Sequence, residues 1–402
     1  MTTPSTLARC PHFGECGGCK SQDIPYDLQV AAKSAALGEL FADFWTAPIE
    51  VNPSPVLWNY RNKIDPSFSR MRYPEPPPAD FIRETVLGYK KKGQWFWPLD
   101  ISECHIGPEG AGELLCATRQ WYQEKDIRAW DERSNEGILR YLLVRDGKRS
   151  GEKMVVLITH EGELDCDPFV ELAQSVYGAT SVYRGFYTER SDVATAERLE
   201  VLAGDAHITE TLQLADGDGQ RNLSFRISPL SFFQTNPLAT ENLYGAIREH
   251  VRALAPPSLY DLYGGAGGIA FSCSDLVEKV WSVEEVIPAT EDGRYNAEVN
   301  GIDNVEFITA KTETYLVNQR PGGLAPGATV ILDPPRSALH PKALKRLMEF
   351  QPENLIYVSC NPKLLARELA VLSEVYDIAS LEAFDLFPHT PHVEALAVLK
   401  KR

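Results

Sequence analysis

A thiol, two carboxylates and a glycine loop are the residues here that could do chemistry. Cys360 sits in "YVSCNP" (357–362), where a strand-like run gives way to an Asn-Pro turn. An ionised thiol in that place is a nucleophile, whereas a buried one is only a small hydrophobe. Asp333 ends another apolar run in "LDPPRS" (332–337), followed by two stiffening prolines. Glu394 heads the final apolar run in "FPHTPHVEA" (387–395), beside His389 and His392. A nucleophile and a separate general base are the parts of covalent catalysis.

The glycine loop is "DLYGGAGG" (261–268), between a strand and a helix start. It lacks the spacing of a dinucleotide fingerprint. Glu284, at the end of the next strand in "VWSVEEV", has the position that accepts ribose hydroxyls. Together they suit an adenosine-type cofactor; the alternative is a tight turn and a surface glutamate.

These residues need a scaffold that brings strand ends to one rim. After about residue 225, strand-like runs ("SLYDL", "KVWSVEEV", "NVEFITA", "ATVILDPPR", "NLIYVSCNP") alternate with helical stretches. That pattern predicts a mostly parallel, doubly wound α/β sheet. The last piece, "IASLEAFDLFPHTPHVEALAVLKK", has no room for a crossover helix and predicts an antiparallel hairpin at the sheet edge. "LADGDGQRN" (214–222) predicts a turn between two strands, and "PEPPPAD" (74–80) a proline loop.

The net charge of -16 argues against bulk-charge binding of nucleic acid. Residues 61–92 are the exception, with eight Lys and Arg against four Asp and Glu. Phe68, Tyr73, Phe81, Tyr89, Trp95, Phe96 and Trp97 lie among or next to them. Cations with rings compose either a single-strand nucleic-acid surface or a solvated, aromatic-packed sheet. No apolar run is long enough to span a membrane and no leader is visible, so a cytoplasmic protein is expected. In that compartment, Cys10, Cys16 and Cys19 in "RCPHFGECGGCK" (9–20) point to metal rather than disulfides.

"SFFQTN", "DLYGGAGG", "LDPPR", "YVSCNP" and "FPHTPHVE", in this order, resemble the RNA uracil-5-methyltransferase family across residues 225–402. "WNYRNKI" (58–64) resembles its N-terminal region, and the cysteine pattern resembles its iron–sulfur branch. The resemblance implies a Rossmann-like methyltransferase domain that uses S-adenosylmethionine. It implies Cys360 as nucleophile toward uracil carbon 6, Glu394 as the base that removes the carbon 5 proton, and Asp333 in support. Gln234, Tyr263, Gly265, Glu284 and Asp333 match cofactor contacts. Gly264 replaces the family's usual cysteine, a change expected to be harmless.

By the same resemblance Cys10, Cys16, Cys19 and the distant Cys104 hold a 4Fe–4S cluster, with zinc as the alternative. Arg61, Lys63, Arg70 and Arg72 are the expected RNA contacts. With nine residues before Cys10, no N-terminal TRAM-type barrel is expected. The expected organisation is a cysteine loop (1–25), a central α+β RNA-binding domain (26–225) and a methyltransferase domain (226–402), acting as a monomer. 23S rRNA is the expected substrate. The alternatives are the T-loop uridine of tRNA, and a non-catalytic RNA-binding protein, which retention of Cys360 and Glu394 disfavours. A radical enzyme would want Cys-x3-Cys-x2-Cys, and this spacing differs.

Overall fold

The computed structural model describes residues 8–75, 77–78, 81–217, 219–319 and 323–402. Residues 76, 79 and 80 of the proline loop, and 218 of the Gly/Asp turn, therefore lie outside it. The chain divides into two compact units. One holds residues 57–210, 227–230 and the N-terminal loop; the other holds 26–56, 211–226 and 231–402. No helix among the described residues is long and apolar enough to cross a membrane.

The second unit is built on one twisted sheet. Its strands run in the order Val51–Asn52, Tyr376–Phe384, Glu394–Lys401, Asn354–Ser359, Thr329–Leu332, Ser258–Leu262, Lys279–Glu284 and Val305–Thr309. The last five are mutually parallel, while Glu394–Lys401 runs antiparallel to Asn354–Ser359 and to Tyr376–Phe384. The expected terminal hairpin is present but is not the edge. Val51–Asn52 adds in parallel outside it and takes up hydrogen bonds the hairpin would otherwise leave open.

Apolar side chains alternate between the two faces of these strands, each covered by helices. The helix Pro237–Leu254 covers one face together with Leu212, Leu214, Leu223 and Phe225 of the hairpin Ile208–Asp216/Gly219–Ile227. Its start is written in "TNP". Asn236 caps the Ala239 amide and Pro237 supplies a preset first turn.

Residues 26–56 depart from the expected domain boundary. The helix Tyr26–Leu40 turns Gln29, Lys33 and Leu37 inward, one above another at four-residue spacing. Lys33 makes a buried ion pair with Asp385 at 2.7 Å. Tyr26 donates to the same carboxylate at 3.1 Å, which fixes this helix in the C-terminal unit.

The first unit centres on a sheet ordered Gln94–Asp100, Thr85–Lys91, Ser67–Arg70, Leu139–Asp146, Lys153–Thr159, Ser181–Phe186 and Arg198–Gly204, with Lys63–Ile64 pairing onto Leu139–Asp146. Helices Ala111–Glu124 and Asp167–Leu172 pack on it through Leu114, Leu115, Trp121 and Phe169. This is the expected α+β arrangement. No closed barrel occurs among the described residues.

Candidate active site and cysteine cavity

Strand register assembles the candidate active site. Leu262 pairs with Leu332 and Leu332 with Tyr357, so the parallel strands end level and open on one rim. Ser359 pairs with Ala395 in the antiparallel partner. One step beyond, Cys360 stands beside Glu394. Asp333 leaves the adjacent strand end, its amide bonded to Leu262 O at 3.3 Å. Gln234 Nε2 donates to Asp333 Oδ2 at 3.4 Å. The sequence-derived set Gln234, Asp333, Cys360 and Glu394 thus meets at one place.

The electrostatics of this rim are strained toward neutral forms. Burial, then the charge of Asp333, holds Glu394 up at about 8, against the opposing pull of Arg336. Burial, then Asp261, raises Asp333 to about 7. Burial raises the Cys360 thiol to about 11, with Glu394 and Asp333 adding to it and Arg336 opposing. Such displaced acids and thiols are typical of reactive sites. A cation bound between the two carboxylates would favour their ionised forms.

The glycine loop and Glu284 are locked together. Gly265 donates its amide to Glu284 Oε2 at 3.1 Å, and Val286 donates to Oε1 at 2.8 Å. A Cβ at Gly265 would meet nothing within 4 Å, so the loop is open at Gly265. These residues fit an adenosine cofactor with a cationic centre, having open backbone, a ribose-type acceptor and two carboxylates. Tyr263 is a loop-shaping residue. It is left-handed at φ 68°, donates its amide to Val283 O at 2.9 Å, and packs its ring on an apolar cluster.

Gly264 is more than a neutral replacement. A Cβ there would lie 2.1 Å from Ser282 Oγ and 2.9 Å from a carboxylate oxygen of Asp261. Glycine at 264 thus belongs with Ser282 and the fully buried Asp261.

Sequence reasoning missed the residues that hold the Glu394 loop. His389 is 4% exposed and left-handed at φ 65°. Its amide donates to Gln29 Oε1 at 3.0 Å, and its Nδ1 lies 3.2 Å from Gln29 Nε2. His389 is therefore a loop-fixing residue. His392 instead meets the Arg336 guanidinium at 2.7 Å. Asn361 donates to Arg336 O at 3.1 Å and ties the cysteine turn to the proline loop. Asn236 reaches Ser54 Oγ at 3.1 Å and Leu386 O at 3.0 Å, fixing the turn that carries Gln234. In that turn the ring of Phe232 is 66% exposed.

In the first unit, Cys10, Cys16, Cys19 and Cys104 line one cavity of about 310 Å³. His12 Nε2 accepts from the Ser102 amide at 2.9 Å, which docks the cysteine loop next to Cys104. Burial raises all four thiols, Cys19 to about 11 and Cys104 to about 12. Among the described residues no group of three His, Cys, Asp or Glu is placed to hold a metal ion. The donor set is four soft thiols lining one space, a ligand type that suits zinc and iron–sulfur groups alike.

The expected RNA cations divide. Arg61 lines the cysteine cavity. Lys63 pairs with Asp65 at 3.5 Å, and Arg70 donates to Ala129 O at 3.3 Å and Glu136 O at 2.9 Å. Arg72 is exposed, its guanidinium 5.7 Å from the Phe96 ring centroid.

The tRNA (Uracil-5-)-methyltransferase family model matches residues 189–321 and 324–402. An uncharacterized RNA methyltransferase of Clostridium tetani is 35% identical over 98% of this chain and 84% of its own length. A tRNA (uracil(54)-C(5))-methyltransferase of Pyrococcus horikoshii is also 35% identical, over 98% of this chain and 85% of its own. The crystal structure of the Pyrococcus abyssi tRNA (uracil-54, C5)-methyltransferase with S-adenosyl-L-homocysteine aligns with TM-score 0.74 at 30% identity. That alignment covers 99% of this chain and 88% of the other. With the rim described above, these matches place the chain in the tRNA (uracil-5-)-methyltransferase family, as an S-adenosylmethionine-dependent RNA uracil-C5 methyltransferase.

Proposed function

We propose that the protein methylates carbon 5 of a T-loop uridine in tRNA through a covalent bond from Cys360 to carbon 6. The observation that carries the mechanism is the register that sets Cys360 beside Glu394, with Asp333 on the neighbouring strand end. S-adenosylmethionine, when bound, supplies an electrophilic methyl group on a sulfonium. Glu284 and the open face of the loop at Gly265 would hold its adenosine end, and Asp333 with Gln234 its cationic end.

Cys360 Sγ, as thiolate, bonds to carbon 6, and the ring electrons move onto the carbon 4 oxygen as an enolate. Carbon 5 is then nucleophilic and takes the methyl group. Glu394 as carboxylate removes the proton from carbon 5; those electrons restore the ring double bond and expel Cys360 thiolate. The target base must leave its stack to reach Sγ. Arg336 favours both ionised forms from one side.

The preference for tRNA over the expected 23S rRNA is supported by the Pyrococcus relatives, whose names give uracil 54 of tRNA. The cysteine cavity supports a 4Fe–4S staple without redox turnover, since methyl transfer by this route moves no electrons. Zinc on the same four thiols is the alternative. Denaturing mass spectrometry of Cys360→Ser or Glu394→Gln incubated with unmodified tRNA and cofactor tests the mechanism. A protein–RNA adduct is expected to accumulate in Glu394→Gln and to be absent in Cys360→Ser. An adduct in Cys360→Ser would refute the assignment.

A further inference from the structure

We propose that Trp95 and Phe96 form a stacking platform for unpaired nucleotides of the substrate RNA, with Arg72, Lys91 and Lys92 meeting the adjoining phosphates. This deepens the RNA reading above and rests on it. The platform is the tip of the hairpin Thr85–Lys91/Gln94–Asp100.

Trp95 is 77% exposed and Phe96 41%. Large rings are costly to leave in water, so two together at one tip need a use. Residues 95–97 fall where the pairing register slips between Lys90–Pro98 and Lys91–Gln94, so strict alternation of faces does not hold and the two rings can meet. Trp95 meets Phe96 edge-on, centroids 5.5 Å apart at 89°. Arg72 lies over Phe96, the cation–ring pairing that recurs where RNA bases stack.

Charge selects the occupant. Between Glu84 and Asp100 the chain carries three lysines and no acid, in a protein of net charge -16. Lys90 is held by Asp192 at 3.5 Å, while Lys92 is exposed in the turn itself. A polyanion with planar bases uses both features; an apolar protein groove uses only the rings.

The tip is also anchored. Gly93 closes the turn at φ 72°, a conformation that favours glycine. Lys92 donates its amide to Glu15 O at 2.7 Å, and Gly17 donates to Lys90 O at 3.2 Å. Cys16 bridges to Lys91. The cysteine loop thus grips the hairpin turn, which gives its order a role in RNA binding.

The test uses the full-length protein with two probes, unmodified tRNA and a fluorescein-labelled 12-mer of uridine. Anisotropy gives Kd; methyl transfer to the tRNA gives kcat and KM. Trp95→Ala and Phe96→Ala are each expected to raise Kd for both probes by about 5- to 100-fold, the effect of losing one base stack. KM should rise with Kd, while kcat and cofactor affinity stay near wild type. Trp95→Tyr should keep most of the affinity. Lys91→Ala with Lys92→Ala should flatten the dependence of log Kd on log salt. Wild-type Kd and KM in the Trp95→Ala/Phe96→Ala double variant would overturn the platform while leaving the enzyme reading intact. So would a change confined to self-association. Wild-type protein that binds and methylates neither probe would remove the RNA reading itself, and the platform with it.

Discussion

Replacing Glu394 with Gln is expected to stabilise the protein at neutral pH while ending methyl transfer. Glu394 is 4% exposed, and burial followed by the charge of Asp333 holds its carboxyl at about 8 instead of the ordinary 4.5. Between those values the folded state keeps a proton that the unfolded chain has released. Stability therefore falls as pH rises from 4.5 to 8. At pH 7.5 this linkage costs about 4 kcal/mol, and at pH 5 under about 1 kcal/mol. Asp333 titrates with Glu394 as a coupled pair, so the larger figure is an upper one. Gln keeps the shape and removes the charge. Urea denaturation of both proteins at pH 5, 6.5 and 7.5 reads the difference. A gain in stability that grows with pH is expected. A difference independent of pH, or a variant less stable than wild type at pH 7.5, would refute the reasoning.

Three further outcomes follow from other parts of the molecule. Lys33→Ala leaves Asp385 buried without its ion pair and should cost about 3–5 kcal/mol by chemical denaturation, with kcat falling as the Glu394 loop loosens. Gly264→Ala drives a Cβ against Ser282 Oγ and should cost about 1–3 kcal/mol; adding Ser282→Ala should recover part of it, a coupling that a double-mutant cycle in thermal melts detects. For the proposed cluster, wild type purified without oxygen is expected to carry iron and visible absorption that Cys104→Ser loses together with RNA affinity; iron-free wild type, or unchanged RNA affinity in Cys104→Ser, would remove the staple role.

The catalytic unit was legible because its chemistry sits at strand ends. "LDPPR" and "YVSCNP" each join an apolar strand to a turn, so parallel pairing alone brings Asp333 and Cys360 to one rim. Glu394 follows from the antiparallel return. The attachment of the helix Tyr26–Leu40 to the C-terminal unit was not legible, since its inward face carries the polar residues Gln29 and Lys33. Their partners, His389 and Asp385, lie more than 350 positions away in the chain. The basic stretch 61–92 was legible in part. Composition marks its cations, but only the fold shows Arg61 facing the cysteine cavity and Arg70 bound to carbonyls. Exposure then moves attention to Trp95 and Phe96.

The most direct measurement is methyl transfer from labelled S-adenosylmethionine to unmodified tRNA and, separately, to unmodified 23S rRNA, with nucleoside analysis and Cys360→Ala beside wild type. 5-Methyluridine in tRNA, at a T-loop position, and its loss in Cys360→Ala are expected. Methylation of 23S rRNA alone would contradict the tRNA assignment, and 5-methyluridine formed by Cys360→Ala would contradict the covalent mechanism.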